Sequence, residues 1–92
     1  MSERDESARA IEAILMVADQ PIEPTLFSQV LEITPQEVEQ ICEELKISYE
    51  KQQRGWVLIK VAGGYSFQSH PDLAPYIESF VLHGQTARLS AA

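Results

Sequence analysis

The side chains that could carry out chemistry in this sequence are few and widely separated. The two histidines, His70 and His83, have no cysteine or carboxylate at metal-ligand spacing nearby, so we interpret them as surface residues. The single cysteine, Cys42, lies on an apolar helical stripe, which indicates a small buried side chain and excludes an internal disulfide. No serine accompanies a histidine and an acid in a recognisable order. We therefore predict no catalytic residues, no metal site and no cofactor.

The paired acidic residues and the paired glycines also have simple structural interpretations. Glu43 and Glu44 fall on the solvent side of a predicted helix, where nothing buries them enough for general acid–base work. The glycine pair 63–64 precedes a predicted strand, whereas a phosphate-binding glycine loop precedes a helix. The sequence thus predicts a protein that is not an enzyme.

One small domain must position all of these residues, because 92 residues can bury a single modest core. The predicted order is helix, short edge segment, helix, helix, hairpin, helix. This order is typical of a winged helix-turn-helix, so the predicted fold class is α+β, mostly helical, with a β-hairpin wing and a C-terminal helix. We predict a flexible N-terminus over residues 1–7 and the winged-helix domain over 8–83. Residues 84–92 are expected to be a linker or the start of another helix at a domain boundary, and a frayed natural C-terminus is the alternative.

The third helix, from Thr34 to Lys51, has the clearest signals. Thr34 can act as its N-cap, and Pro35 suits the first helical position. Its apolar residues recur at steps of three and four, which predicts one face toward the core. That stripe consists of Val38, Ile41, Cys42, Leu45 and Tyr49.

The first helix, predicted from Ala8 to about Asp19, has two apolar faces. The inward one contains Ile11 and Leu15. The second face indicates either a helix that runs through the middle of the core or a contact with another subunit. The small residues on this face would let a helix of that subunit approach closely. Both explanations stay open, and the candidate subunit contact also includes Ile47, which lies opposite the core stripe of the third helix. The members of this contact are Ala10, Ala13, Met16, Val17 and Ile47.

Short elements complete the fold. Ile22, between two prolines, can form only a short edge strand. The second helix begins at Pro24 or Thr25 and is expected to place four apolar residues on one side: Leu26, Phe27, Val30 and Leu31.

The wing is predicted as a hairpin from Trp56 to Ser69 with the glycine pair 63–64 as its two-residue turn. This turn would pair Ala62 with Tyr65 and Leu58 with Ser69. It would place Trp56, Leu58, Tyr65 and Phe67 on one face.

The last helix is expected to begin near Pro71 and to end near His83. Its apolar stripe is predicted to face the core, with Leu73, Tyr76, Ile77, Phe80 and Val81 as its members.

The net charge of −7 and the pI of about 4.6 argue against long-range electrostatic attraction to nucleic acid or to an anionic membrane. The third helix, which reads DNA in many winged helices, carries five glutamates against two lysines. Specific DNA reading is therefore the less favoured interpretation. The alternative, a DNA-binding transcriptional regulator, would use Lys51, Arg54 and Lys60. Apolar runs are too short for a membrane span and the N-terminus lacks signal-peptide character, so we predict a cytoplasmic protein.

Particular stretches resemble a known family. The segments IEAILMVADQPI and TLFSQVLEI, and above all WVLIKVAGGYSFQSHPDLAPYI, are similar to the N-terminal half of segregation and condensation protein B. VAGGYSFQ, followed by a proline and an APYI helix, is the most specific part. In that family two winged-helix domains follow one another, and TARLSAA matches the entry to the second.

The resemblance implies a structural role in bacterial chromosome condensation and segregation. The family forms homodimers, mainly through the N-terminal domain, and binds the kleisin subunit, segregation and condensation protein A, which joins the heads of the SMC ATPase. It implies a cytoplasmic protein that reaches the nucleoid through this complex. The ATPase chemistry belongs to SMC, and the kleisin contacts fall largely on the C-terminal domain, so no kleisin-binding residue is carried over.

Overall fold

The computed structural model describes the backbone of residues 2–91 and the side chains of residues 2–84. Within them the predicted mostly helical α+β class, with a hairpin wing, is confirmed. The elements are α1 (Glu3–Val17), α2 (Pro24–Leu31), α3 (Pro35–Lys51), β1 (Trp56–Val61), β2 (Gly64–Ser69), a 3₁₀ turn (Pro71–Leu73) and α4 (Ala74–Ala91).

The first helix begins at Glu3, five residues earlier than the predicted Ala8. Ser2 is its N-cap: Ser2 Oγ accepts from the Asp5 N–H at 3.1 Å, and Asp5 Oδ2 accepts from the Ser2 N–H at 3.4 Å. Acidic side chains in the first turn, including Glu3, interact favourably with the positive end of the helix dipole and stabilise the helix. These caps explain why the helix extends into the polar segment, and the flexibility predicted for residues 1–7 stays a prediction.

The core forms where α1, α2, α3 and the wing meet. The N-cap prediction for α3 is confirmed, since Thr34 Oγ1 accepts from the Glu37 N–H at 3.1 Å. On α2 only Phe27 is fully buried, whereas Leu26 and Val30 are exposed, so the prediction of one shared inward side was wrong for these two. The buried apolar side chains are Ile11, Leu15, Phe27, Val38, Ile41, Cys42, Tyr49, Leu58 and Tyr65.

The hairpin turn lies one residue earlier than predicted. Ala62 and Gly63 both have positive φ, 53° and 79°, as a type I′ turn requires, and Val61 pairs with Gly64. Leu58 consequently faces Phe67 rather than Ser69. The predicted shared face is nevertheless confirmed, because the new register differs by two residues and side chains alternate with a period of two.

Gly64 is a strand residue because the chain packs directly against it. A Cβ at this position would lie 3.0 Å from Pro21 Cβ and 3.1 Å from backbone atoms of Ile22. Ile22 forms the predicted short edge element as a bridge to Tyr65: each N–H donates to the other's carbonyl oxygen at 2.8 Å. The connection after α1 is thereby tied to the wing.

The fourth helix differs most from prediction. It continues to Ala91 rather than ending near His83, and its principal contacts are with the preceding 3₁₀ turn. Tyr76 and Phe80 are 74% and 72% exposed, so the prediction of an inward stripe was wrong. Glycine in a helix interior costs about 1 kcal/mol relative to alanine, which is too little for Gly84 to end the helix.

In the part of the chain that is described, no helix is long and apolar enough to cross a membrane.

Candidate functional site

An apolar groove of about 770 Å³ lies between the C-terminal half of α1 and the wing. Met16 and Val17 of α1 form one wall and are 75% and 82% exposed. Trp56 and Phe67 of the wing form the other. The lining is completed by Glu12, Ala13, Tyr49, Gln68 and Ser69. The groove offers contact area for an apolar partner.

Tyr49 of α3 fixes the floor of this groove. Its ring packs edge-on against Trp56 at 5.4 Å and against Phe67 at 5.9 Å between centroids. Its hydroxyl donates a hydrogen bond to Glu12 Oε2 on α1. Burial, followed by that hydrogen bond, raises the pKa of Tyr49, so the phenol remains a donor to the carboxylate. One residue thus links α1, α3 and the wing.

A second apolar surface runs along α4. We call it the α4 stripe and define it as Tyr76, Ile77, Phe80 and Val81, which recur at helical spacing and are all exposed. At its base, Leu73 shares a shallow depression with Tyr49 and Trp56, both of which also line the groove. The turn that leads into α4 therefore lies beside the groove.

The structure brings together three of the five residues predicted for a dimer contact. Ala13, Met16 and Val17 line the groove. Ala10 is half-buried in a different depression, beside Val30 of α2, and Ile47 is exposed outside the groove. As dimer contacts, all five remain predictions.

Sequence reasoning did not assign Trp56, Phe67 or the α4 stripe to this surface. The signal that could have found the two aromatic residues is their shared face on the hairpin, because that face is longer than a core of this size can cover. For α4, the available signal was the strength of its apolar pattern, which was interpreted as core.

The residues considered for DNA binding do not form one basic surface. Lys60 Nζ lies 3.3 Å from Glu39 Oε1 and 5.6 Å from the ring centre of Tyr65. The Arg54 guanidinium lies 5.6 Å from the ring centre of Trp56, and Lys51 is in the last turn of α3. The exposed side of α3 carries Glu39, Glu43 and Glu44, beside Arg4 of α1, whose guanidinium pairs with Glu44 at 2.7 Å. A DNA phosphate would meet mostly negative charge here.

Comparison with known proteins decides the family. Residues 9–92 match the family model for the segregation and condensation complex subunit ScpB. The chain belongs to the ScpB family. The resemblance drawn from VAGGYSFQ and its neighbouring segments is thereby confirmed, and the transcriptional-regulator alternative is not favoured.

Relatives and solved structures agree with this assignment. Segregation and condensation protein B of Moorella thermoacetica is 31% identical over 77 residues, which cover 84% of this chain and 40% of that protein. The crystal structure of ScpB from Mycobacterium tuberculosis has a TM-score of 0.87 at 24% identity, covering 92% of this chain and 53% of that one. A dimer of an ScpB N-terminal domain complexed with a ScpA peptide has a TM-score of 0.78 at 24% identity, covering 86% and 92%. The chain spans about half the length of the known relatives it matches.

Proposed function

We propose that this chain is the homodimerising winged-helix domain of a non-enzymatic accessory subunit of a bacterial SMC–kleisin complex, which acts in chromosome condensation and segregation. The observation that carries the proposal is the ScpB family match over residues 9–92. The dimer of an ScpB N-terminal domain bound to a ScpA peptide supports both a homodimer and a kleisin partner for this chain. The proposed location is cytoplasmic, and contact with the nucleoid would be made through the complex.

Two features of the surface support a protein partner rather than nucleic acid. The groove presents Met16, Val17 and Trp56 as exposed apolar side chains, and such patches mark protein interfaces. The face of α3 that would enter a DNA groove is acidic. We propose that Ala13, Met16 and Val17 contribute to the dimer contact and that no specific DNA contact is made through Lys51, Arg54 and Lys60.

Sedimentation velocity over a range of concentrations tests the dimer. We expect a dimer for the wild type and a folded monomer for the double variant Ala13→Glu/Val17→Glu, because two carboxylates would then be buried without partners. Val30→Glu is the control: it adds a single carboxylate, one fewer than the double variant, to an exposed apolar position beside Ala10. A wild type that stays monomeric at high concentration would reject the dimer. A monomer produced by Val30→Glu alone would move the contact to the Ala10 side of α1.

Co-purification tests the kleisin partner. The full-length subunit is expected to retain the cognate kleisin, and this chain alone would show how much of that binding resides in the first domain. A full-length protein that does not retain the kleisin would contradict the proposed place in the complex.

A further inference from the structure

Two apolar surfaces on this chain are left uncovered in a single copy, and they have complementary shapes. The groove is concave and lies between α1 and the wing. The α4 stripe is convex, since it lies along one side of a helix whose principal contacts are with the turn before it. A helix laid into an apolar groove is a common mode of recognition, and it reads residues at steps of three and four. The α4 stripe has this spacing.

We infer that the groove of each copy is occupied by α4 of a second copy, in a reciprocal exchange about a two-fold axis. The inference rests on the homodimer proposed above and specifies its geometry. A two-fold interface uses the same surfaces on both subunits, so each copy must contribute both a groove and a stripe. This chain carries both, and the turn that leads into α4 lies beside the groove, where Leu73 shares a depression with Trp56 and Tyr49. One rotation can therefore cover both surfaces on each copy.

The two aromatic side chains of the α4 stripe would supply roughly a third of the area that each copy needs in a stable dimer. Aromatic side chains bury about 150–250 Å² each, so Tyr76 and Phe80, both about three-quarters exposed, would contribute roughly 300 Å² per copy. Ile77 and Val81 of the stripe, with the groove walls, add to this. A stable interface needs about 800 Å² per partner, and a contact limited to α1 would leave Tyr76 and Phe80 in water. The exchange is thus favoured over an α1-to-α1 contact.

Gly84 agrees with a partner along this side of α4. It lies four residues after Phe80 and three after Val81, hence on the same side of the helix. Among the described residues, a Cβ at this position would meet no atom within 4 Å, so their packing does not require glycine there. A glycine lets another backbone approach closely, which an exchanged helix would use.

Cysteine cross-linking tests the geometry directly, and the native Cys42 is buried and will not interfere. Val17→Cys and Phe80→Cys place thiols on the groove wall and on the α4 stripe. When the two single variants are mixed, we expect a short bifunctional maleimide to join a Val17→Cys chain to a Phe80→Cys chain. Mixtures with Glu78→Cys, on the other side of α4, are the matched control and should cross-link at least about tenfold less.

The outcomes separate this inference from the proposed function. Sedimentation as a dimer, combined with efficient Val17→Cys self-cross-linking and no mixed product, would retain the dimer and overturn the exchange. The double variant Val17→Cys/Phe80→Cys closing within one chain would mean that α4 folds into its own groove, which also overturns it. A monomeric wild type would end both proposals.

An equilibrium measurement gives a second readout. Phe80→Glu should raise the dimer Kd at least about 30-fold, as expected for an aromatic anchor at an interface centre, while Glu78→Gln leaves it within about twofold. Circular dichroism would show that both variants keep the helix content of the wild type. An unchanged Kd for Phe80→Glu would overturn the inference.

Discussion

Gly64→Ala perturbs the contact between the wing and the connection that follows α1, and its effect can be worked out from the structure. The added Cβ would lie 3.0 Å from Pro21 Cβ and 3.1 Å from the backbone N and C atoms of Ile22, whereas carbon atoms pack best at about 3.5–4.0 Å. The backbone of Ile22 cannot easily retreat, because two hydrogen bonds of 2.8 Å hold it to Tyr65. We therefore expect an overpacking cost of about 1–3 kcal/mol in the free energy of unfolding.

Thermal and urea unfolding at a fixed protein concentration would measure this cost. In a domain of this size about 1 kcal/mol corresponds to about 4–8 °C in Tm, so a fall of at least about 4 °C is expected. The fixed concentration matters because association with a second copy also stabilises the fold.

Two other glycines serve as matched controls. Gly63→Ala meets no atom within 4 Å but keeps a φ of +79°, so only backbone strain of about 1 kcal/mol is expected. Gly55→Ala has neither problem, since its Cβ would lie 3.6 Å from Leu73 Cδ1, and it should change stability by less than about 0.5 kcal/mol. If Gly64→Ala proved as stable as Gly55→Ala, the close approach of the Ile22 backbone to the wing would be refuted.

Further measurements examine the core, the groove floor, the thiol and the surface charges. Phe27→Ala empties a fully buried site and should cost about 3–5 kcal/mol by urea unfolding; a loss below about 1 kcal/mol would contradict its burial. Tyr49→Phe removes the hydrogen bond to Glu12 and should cost about 1 kcal/mol, with a double-mutant cycle against Glu12→Gln showing coupling rather than additivity. Burial, then the nearby carboxylates, raises the pKa of the Cys42 thiol from 9.0 to about 12, so between those pH values the folded state holds more protons and the free energy of unfolding falls as pH rises. Cys42→Ala should make that fall shallower, and an identical slope would count against the assignment. Glu44→Gln breaks an exposed ion pair and should alter stability by no more than about 0.5 kcal/mol in the same assay, a larger loss being inconsistent with its exposure.

Local signals were sufficient to predict α3 and the buried side of α1. Thr34 supplies a cap within the segment itself, and the α3 stripe repeats over about three turns, so neither depends on distant residues. The ScpB resemblance rested on similarly local segments. Of the residues that line the groove, only Ala13, Met16 and Val17 were selected from the sequence as surface contacts, because the other wall comes from the wing.

The hairpin register could not be predicted from its own residues. Two adjacent glycines favour a turn at both, but Gly64 is required by the close packing of Ile22, a residue more than forty positions away along the chain. The turn therefore moved to Ala62 and Gly63, where positive φ is carried by one alanine and one glycine. The tertiary contact with Ile22 outweighs the turn propensity of the two glycines, and the hairpin sequence alone does not reveal that contact.

The wrong prediction that the apolar stripe of α4 is buried has a different physical origin. Periodicity identifies an apolar face of a helix but does not tell whether the same chain or another covers it. The inward residues of α1 are 0% and 3% exposed, whereas the α4 stripe, with equally regular spacing, is 42–74% exposed. The two stripes give the same kind of pattern in the sequence. Only the three-dimensional structure shows that the α1 stripe is buried within the chain and that the α4 stripe is not.

The balance of buried and exposed apolar residues follows the same reasoning. Among the described side chains nine apolar residues are buried, while twelve large ones, among them Met16, Trp56 and Phe80, are exposed. A single copy thus leaves much of its apolar surface in water, although the hydrophobic effect is the main force that stabilises so small a domain. Burial of the α4 stripe and the groove by a second copy would move that surface out of water and couple folding to association. In this interpretation the acidic α3 holds α1 and the wing in place, and the surface used for assembly lies on the groove and on α4.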